Sequence, residues 1–210
     1  MDFFFSYGST YTYLSVMRME QVSASTGVTV RWRPFHLRTI TTEQNNRPFI
    51  GKPIKMKYMW RDLERRAHQH GIPFNGVPPY PVDSEGLAHR VGTVASTEGW
   101  CPQYSKALYR QWFVEHKEPG DAEQMKILLG GLGRDGDAVI TRADSEQTRA
   151  CLAAETDVAR GLGIFGSPTF VVDGEIFWGD DRLETALDWC NRHPPRGGRG
   201  SRPLSEAPSD

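Results

Sequence analysis

Apolar residues at the two ends of the chain follow strand patterns, whereas in the middle they recur at helical spacing. Asp2 to Phe5 is a short apolar run that predicts a buried strand. From Tyr13 to Thr26 apolar residues repeat every three or four positions, and Gly27 ends this predicted helix. Val28 to Phe35 alternates apolar and polar side chains, which predicts a strand with one wet face. The chain therefore opens as a β-α-β unit, for which a right-handed crossover is expected.

The middle of the chain is predicted to be helical. Five segments, punctuated by prolines, carry apolar residues at helical spacing. They are Lys55 to His70, Ser84 to Trp100, Gln103 to Lys117, Asp121 to Leu132 and Asp144 to Leu162. Because strand sequence lies on both sides of this region, we interpret it as an inserted helical domain over residues 39–159.

Strand sequence returns after Pro168. Thr169 to Val172 and Glu175 to Trp178 read as two strands. The Asp173-Gly174 dipeptide between them is a strong signal for a two-residue hairpin turn. We therefore predict a β-hairpin in this part of the chain.

A last helix is predicted through Cys190, with Asp180 or Asp181 as its cap. The β-α-β opening, the helical insertion and the β-β-α close together predict an α/β chain: a thioredoxin-like fold with a large all-α insertion. The thioredoxin-like domain would comprise residues 1–38 and 160–192. From about His193 the chain is rich in Pro, Gly, Arg and Ser, so residues 193–210 are predicted to be a disordered tail.

Two short motifs resemble the two halves of a thioredoxin-type active site. The first strand stops at a turn and feeds a helix, so Ser9 and Thr10 would lie where free N–H groups and the helix dipole favour an anion. A thiolate would be stabilised there. The second motif, Gly166 to Thr169, places Pro168 just before a strand, where a cis peptide bond would expose backbone groups to an extended ligand.

The three cysteines limit the chemistry that this site can perform. Cys101, Cys151 and Cys190 are widely spaced, and none is near residue 9. There is no Cys-x-x-Cys motif and no Cys/His spacing suited to a metal, so disulfide exchange and structural zinc are both disfavoured and no metal is expected. We interpret the cysteines as small buried apolar residues. With Ser9 at the attacking position, the site has either lost its chemistry or takes a sulfur from a ligand, for which glutathione is the obvious donor.

Composition and charge fit a cytosolic globular enzyme. The chain has 210 residues, enough for one large domain or a core domain with an insertion, and a formal net charge of -1. This charge gives no overall attraction to nucleic acid or to an acidic membrane, so neither is expected as a partner. Because strand sequence begins at Asp2 and no apolar run approaches membrane-spanning length, we expect no signal peptide and a cytoplasmic location. The six histidines show no metal-binding spacing, and surface or core positions are the default for them.

Motifs along nearly the whole folded part carry a family resemblance. They are Asp2 to Leu14, Asn46-Arg47-Pro48 with the following Lys55, Tyr58, Asp62 and Leu63, then Gly71-Ile72-Pro73, Gly166 to Phe170 and Trp178 to Leu183. In this order, and with serine at the attacking position, they resemble the 2-hydroxychromene-2-carboxylate isomerases. That family is grouped with the kappa-class glutathione transferases and the DsbA-like thioredoxin proteins.

The resemblance implies roles for the residues of both motifs. Ser9 falls on the catalytic serine, whose hydroxyl donates a hydrogen bond to glutathione sulfur. Thr10 and Tyr11 fall on neighbouring ligand-contact positions. Ser167 and Pro168 match the backbone clamp that pairs with the cysteinyl part of glutathione, much as a strand adds to a sheet edge. For Ser9 the local sequence alone also allows a plain helix N-cap.

Four further residues match the ends of the ligand. Asp180 and Asp181 match positions that bind the γ-glutamyl end, whose free amine is cationic; a helix cap and a first-turn acid are the local alternative. Asn46 and Lys55 would reach the other end of the tripeptide or the acidic substrate. For Lys55 a solvated charge run with the neighbouring lysines is an equal alternative. An aromatic wall for the second substrate, or simply core, would come from Tyr7, Tyr11, Trp60 and Trp178.

The resemblance also implies a reaction. In that family a hydroxychromene carboxylate is interconverted with a hydroxybenzylidenepyruvate during the breakdown of aromatic compounds. Reversible thiolate addition to the conjugated bond permits the rotation, with glutathione as cofactor and a small aromatic acid as substrate. A homodimer is expected by analogy. Two alternatives stay open: a kappa-like transferase that conjugates glutathione to an electrophile, and a noncatalytic thioredoxin-like protein that binds glutathione or an extended peptide.

Overall fold

Four strands and a long run of helices make up the chain in a computed structural model that describes residues 1–46, 49, 51–82 and 86–193. The strands are β1 (Asp2–Phe5), β2 (Arg31–Pro34), β3 (Thr169–Val172) and β4 (Glu175–Trp178). The helices are α1 (Thr12–Thr26), α2 (Leu37–Glu43), α3 (Pro53–Gln69), α4 (Leu87–Thr97), α5 (Cys101–Phe113), α6 (Ala122–Gly131), α7 (Gly136–Ala143), α8 (Glu146–Gly161) and α9 (Leu183–Arg192), with a short 3₁₀ helix at Asp180–Arg182. The Arg47-Pro48 part of the family motif, the predicted helix start at Ser84 and the predicted tail beyond His193 lie outside the described residues.

The sheet brings the two ends of the chain together in the order β2-β1-β3-β4. β1 and β2 are parallel, as the crossover through α1 requires, while β3 is antiparallel to both β1 and β4. Phe3 of β1 pairs with Trp32 on one side and with Phe170 on the other. The predicted thioredoxin-like fold with a helical insertion is therefore confirmed.

Successive side chains of β1 enter different apolar cores on the two faces of the sheet. Phe3 and Phe5 lie in the larger core, together with residues of α1, α3, α5 and α9. Phe4 points to the opposite face and lies in a smaller core with Phe35, Ile164 and Val171. Burial on both faces explains why residues 3–5 of β1 are all apolar instead of alternating with polar residues.

The hairpin between β3 and β4 has the predicted two-residue turn. Asp173 and Gly174 both have positive φ, at 50° and 87°, as a type I′ turn requires. The first strand and both strands of the hairpin end at the predicted residues. β2 is shorter than predicted, because ladder pairing begins only at Arg31.

Two short helices were not predicted. α2 has the sequence Leu-Arg-Thr-Ile-Thr-Thr-Glu, in which β-branched residues obscure a helical pattern. α7 begins with Gly136, a poor helix former, but Asp135 caps it by accepting a hydrogen bond from the N–H of Ala138. α2 has no side-chain cap, so it depends on tertiary packing, and α7 depends on its Asp135 cap as well as on packing.

The interpretation of all three cysteines as buried was wrong for one of them. Cys101 is 2% exposed, within the larger core. Cys151 lies on the exposed side of α8, and Cys190 is half-buried. The spacing of cysteines in the sequence carries no information on which helix face each one occupies.

Candidate active site

Hydrogen bonds to Ser167 join the turn that follows β1 to the turn that precedes β3. The Ser9 hydroxyl donates to the carbonyl oxygen of Ser167 at 2.7 Å. The Ser167 hydroxyl in turn accepts from the N–H of Ser6 at 2.9 Å and lies 2.8 Å from the Thr12 hydroxyl. The bond between Ser167 and Pro168 is cis. The two predicted halves of the site are thus in direct contact.

Several backbone N–H groups around this contact are available to a ligand. Among the described residues, no hydrogen bond is made by the N–H groups of Thr10, Tyr11 and Thr12 at the start of α1. The N–H of Ser167 likewise has no partner in this part of the chain. The positive end of the dipole of the 15-residue α1 adds to this local field. An anionic group beside Ser9 would therefore meet unpaired donors.

Ser9 is not the cap of α1. The cap position is Tyr11, and no side chain caps the helix. Thr10 is buried and donates its hydroxyl to the Met59 sulfur at 3.1 Å. The Tyr11 hydroxyl donates to the Asp62 carboxylate at 2.9 Å, and burial together with this carboxylate raises the pKa of Tyr11. Thr10 and Tyr11 therefore offer a ligand their backbone N–H groups, while both hydroxyls bind α3.

Two buried side chains that the sequence did not single out hold the Ser9 turn. His89 Nε2 accepts from the N–H of Tyr7 at 3.1 Å and lies 2.8 Å from the Ser6 hydroxyl, which must be the donor in that contact. The Tyr109 hydroxyl lies 3.0 Å and 3.1 Å from the carbonyl oxygens of Ser6 and Ser9. Both side chains come from the helical region, so α4 and α5 fix the backbone that carries Ser9.

Asp180 lies in a buried charge cluster, and the prediction that it or its neighbour caps the last helix was wrong. Its side chain is fully buried, with Oδ1 accepting from Ser15 at 2.8 Å and from Arg18 at 3.0 Å. Oδ2 accepts from Arg66 at 2.6 Å. Neither the 3₁₀ helix nor α9 has a side-chain cap. Two guanidinium groups attract the carboxylate inward, away from the helix end.

The other three predicted ligand residues lie near the surface. Asp181 is 48% exposed in its side chain and forms an ion pair with Arg182 at 2.7 Å. Asn46 is exposed. Lys55 is exposed as well, with its ammonium 5.4 Å from the centre of the Phe49 ring. Within the described residues, no hydrogen bond or ion pair joins Asn46 or Lys55 to the Ser9 turn.

The aromatic residues proposed for a substrate wall divide by exposure. Tyr7 is fully buried and Trp60 is 9% exposed, so both belong to the core. Tyr11 is half-buried. Trp178 is 53% exposed and contacts Phe165. Of the four, Trp178 is the ring most accessible to a ligand.

The sequence contained one overlooked signal for the charge cluster. Ser15 and Arg18 are three residues apart on α1, on the same side as buried apolar residues such as Met19. An arginine on the core side of a helix requires a buried acceptor, and Asp180 is that acceptor. Arg66 gave no such signal, because it lies among residues of both charges on α3, as is usual for an exposed helix face.

Two general features of the described residues bear on function. No group of three or more His, Cys, Asp and Glu side chains in this part of the chain is arranged to hold a metal ion. No helix in it has both the length and the apolar character needed to cross a membrane.

Proteins similar to this chain carry two enzyme names. The chain is 24% identical over 186 residues to a 2-hydroxychromene-2-carboxylate isomerase from Sphingobium xenophagum, covering 88% of this chain and 94% of the relative. It is 26% identical over 204 residues to glutathione S-transferase kappa 2 from Caenorhabditis elegans, covering 90% of each protein. These relatives confirm the resemblance inferred from the motifs.

A solved structure and a family model agree with the similarity to these relatives. The solved structure of a 2-hydroxychromene-2-carboxylate isomerase superposes with a TM-score of 0.81 at 24% identity, covering 91% of this chain and 94% of that one. The family model for the DSBA-like thioredoxin domain matches residues 1–189. The chain therefore belongs to the family of DSBA-like thioredoxin domains.

Proposed function

We propose that this chain is a glutathione-dependent cis-trans isomerase that acts on a 2-hydroxychromene-2-carboxylate or a hydroxybenzylidenepyruvate-like compound in the breakdown of aromatic compounds. The observation that carries the proposal is the Ser9 hydroxyl, held 2.7 Å from the Ser167 carbonyl beside unpaired N–H groups. The relatives named as isomerases and kappa-class transferases support the same conclusion. We further propose a cytoplasmic homodimer.

The residues present fit glutathione. The free N–H and the carbonyl of Ser167 are the two groups that an extended peptide needs for antiparallel pairing. When bound, glutathione supplies a thiolate that adds reversibly to the conjugated carbon chain, so that the former double bond can rotate before the sulfur leaves. The Ser9 hydroxyl would donate a hydrogen bond to that sulfur, and the N–H groups at the start of α1 favour the negative charge of the thiolate.

Ligand pairing at Ser167 allows the Ser9 hydroxyl to change its hydrogen-bond acceptor. In the structure Ser167 accepts the only proton of the Ser9 hydroxyl. A ligand N–H that donates to the Ser167 carbonyl satisfies that oxygen in place of Ser9 when the Ser9 hydroxyl turns to the sulfur. A free thiol has a pKa of about 8.5, so lowering it by one unit enlarges the reactive thiolate fraction severalfold at neutral pH.

The remaining predicted ligand residues fit the two ends of the tripeptide unequally. Asp181 offers an exposed carboxylate for the γ-glutamyl amine. We assign Asp180 to the same end, where its buried ion pairs with Arg18 and Arg66 hold the backbone of the 3₁₀ helix. Asn46 and Lys55, both exposed, are proposed for the opposite end or for the substrate carboxylate.

The test is to follow the absorbance of a hydroxybenzylidenepyruvate with and without glutathione while titrating the free thiol. Interconversion that requires glutathione and leaves its concentration unchanged supports the isomerase. Loss of thiol with accumulation of a conjugate supports a kappa-like transferase, which the 26% identical transferase relative favours as the second candidate. Binding of glutathione by calorimetry without either reaction would contradict both activities and support a noncatalytic binding protein.

A further inference from the structure

Trp178 and Phe165 form an exposed aromatic pair beside the candidate active site. Their ring centres are 4.8 Å apart with the planes at 63°, an edge-to-face arrangement. Phe165 is 42% exposed and Trp178 is 53% exposed. Trp178 ends β4, directly opposite Thr169 of β3, and Phe165 follows α8 two residues before Ser167. Both rings therefore lie at the margin of the turn that holds Ser167.

Gly166 allows the indole to lie directly against this turn. A Cβ atom at position 166 would lie 2.0 Å from the Trp178 ring nitrogen, so any larger residue would displace the ring. The Gly166 carbonyl also accepts from the Thr169 hydroxyl at 2.9 Å, which fixes the backbone beneath the ring. Gly166 thus limits the position of the indole on its nitrogen side, while much of the ring is open to solvent.

The backbone between Gly166 and Ser167 limits how far the Trp178 indole can lie from the Ser9 hydroxyl. Ser9 Oγ lies 2.7 Å from the Ser167 carbonyl, and Gly166 is the preceding residue. Standard backbone dimensions together with the Gly166 contact place the Trp178 ring nitrogen within about 12 Å of Ser9 Oγ. An aromatic group bonded to a sulfur at Ser9 spans most of this distance and brings its own ring to the edge of the pair.

We propose that Trp178 and Phe165 form the subsite for the aromatic group that becomes attached to glutathione sulfur, and so determine specificity for aromatic electrophiles. This inference rests on the proposed function and adds to it the residues that bind the second substrate. Aromatic rings interact favourably in stacked and edge-to-face geometries, and this pair offers exposed ring surface within about 12 Å of the Ser9 hydroxyl. Scattered exposed apolar residues need no explanation, but a packed aromatic pair at a reaction site does.

The experiment compares two ligands by calorimetry on the whole chain: reduced glutathione and S-(2,4-dinitrophenyl)glutathione, which carries an aromatic ring on the same sulfur. The unmodified chain is expected to bind the conjugate about tenfold more tightly than glutathione. Trp178→Ala and Phe165→Ala should each reduce that advantage severalfold while leaving the Kd for glutathione unchanged. Ile127→Ala, which truncates another exposed apolar side chain on α6, is the matched control and should leave both Kd values unchanged.

Each contrary result has a separate meaning. Equal binding of both ligands by the unmodified chain, or a conjugate advantage that survives both substitutions, overturns the subsite while leaving the glutathione site intact. An equal loss for both ligands shows that the rings only support the fold. A Trp178→Ala chain that changes from dimer to monomer in sedimentation would assign the pair to a subunit contact and overturn the subsite. If neither ligand binds the unmodified chain, the proposed function itself fails, and the subsite fails with it.

Discussion

Ser9 and Ser167, 158 positions apart in the sequence, are joined by a hydrogen bond of 2.7 Å from the hydroxyl of one to the carbonyl oxygen of the other. The bond joins the end of β1 to the beginning of β3, which are adjacent in the sheet. Since a hydroxyl has one proton, this contact and a hydrogen bond to a ligand sulfur are alternatives. Activation of a ligand sulfur by Ser9 therefore requires its hydroxyl to leave the Ser167 carbonyl.

Replacing Ser9 by alanine should lower the thiol-dependent rate by about a hundredfold or more, because a positioned donor to developing charge contributes at that scale. Stability should change by only about 1 kcal/mol, since one exchangeable hydrogen bond is lost. The measurements are kcat/KM with glutathione and a urea titration. Ser23→Ala is the matched control, because Ser23 also donates its hydroxyl to a backbone carbonyl, that of Val28. Unchanged turnover in Ser9→Ala would contradict the mechanism.

Replacing Asp180 by asparagine should lower the free energy of unfolding by about 2–4 kcal/mol, because it removes the buried counter-charge that Arg18 and Arg66 share and leaves Arg18 with only its pair to Glu184. The matched control is the adjacent Asp181→Asn. That side chain is 48% exposed and its ion pair with Arg182 is local, so a change below about 1 kcal/mol is expected. Urea unfolding of both variants measures the difference. Similar losses in the two variants would show that the burial of Asp180 does not govern its contribution.

The contrast between these two aspartates shows which parts of the site the sequence could predict. Ser9 and Pro168 follow and precede apolar strands, so strand pairing in a known order was enough to bring them together. The role of Asp180 depends on Arg18 and Arg66, which lie on two different helices. Local spacing gives no information on such long-range pairs, and a carboxylate after a strand has the same local pattern whether it caps a helix or forms a buried ion pair.

The same limit applies to the supports of the Ser9 turn. Hydrophobic periodicity located α4 and α5 but did not show which of their polar residues point inward. His89 and Tyr109 supply an acceptor and a donor to the buried backbone of the Ser9 turn, a requirement that arises only after the domain has folded. For the short α2 and α7 the local signal was weak from the beginning, since packing stabilises them.

Replacing His89 by leucine should destabilise the chain by about 2–4 kcal/mol, because the buried Tyr7 N–H and Ser6 hydroxyl both lose their acceptor. The thiol-dependent rate should fall as well, since the same backbone continues to Ser9. His68→Leu, at an exposed position of α3, should change stability by less than about 0.5 kcal/mol. His89→Gln keeps an acceptor and should recover part of the loss. If leucine and glutamine behave alike at position 89, the hydrogen bonds are not the cause.

The three cysteines should differ in reactivity with an aromatic disulfide reagent at neutral pH. Cys151 is exposed and should react first. Burial raises the pKa of Cys101 to about 11, so its thiolate fraction and its access are both low, and it should react only in denaturant. Peptide mass spectrometry at successive times identifies the labelled thiol. Cys151→Ser should remove the fast phase alone; early labelling of Cys101 in the folded chain would contradict its burial.

Replacing Gly92 by alanine should destabilise the chain by about 3 kcal/mol, because the new methyl group would lie 2.2 Å from Cε2 of Tyr7. Tyr7 cannot move away easily, since it is fully buried and its hydroxyl lies 2.9 Å from that of Ser105. Gly130→Ala is the control, and its expected effect on stability has the opposite sign. No atom lies within 4 Å of a Cβ at that position of α6, and alanine should stabilise the helix by about 0.5–1 kcal/mol.

Thermal and urea unfolding of both glycine variants, together with the glutathione-dependent rate, test how rigidly the Ser9 turn is held. Tyr7 lies two residues before Ser9, so a ring displaced by Gly92→Ala should shift the turn and lower the rate even at temperatures where the variant is folded. Gly130→Ala should leave the rate unchanged. If Gly92→Ala changes neither the stability nor the rate, the Tyr7 ring has room to move, and the account of a turn fixed by α4 and α5 is wrong.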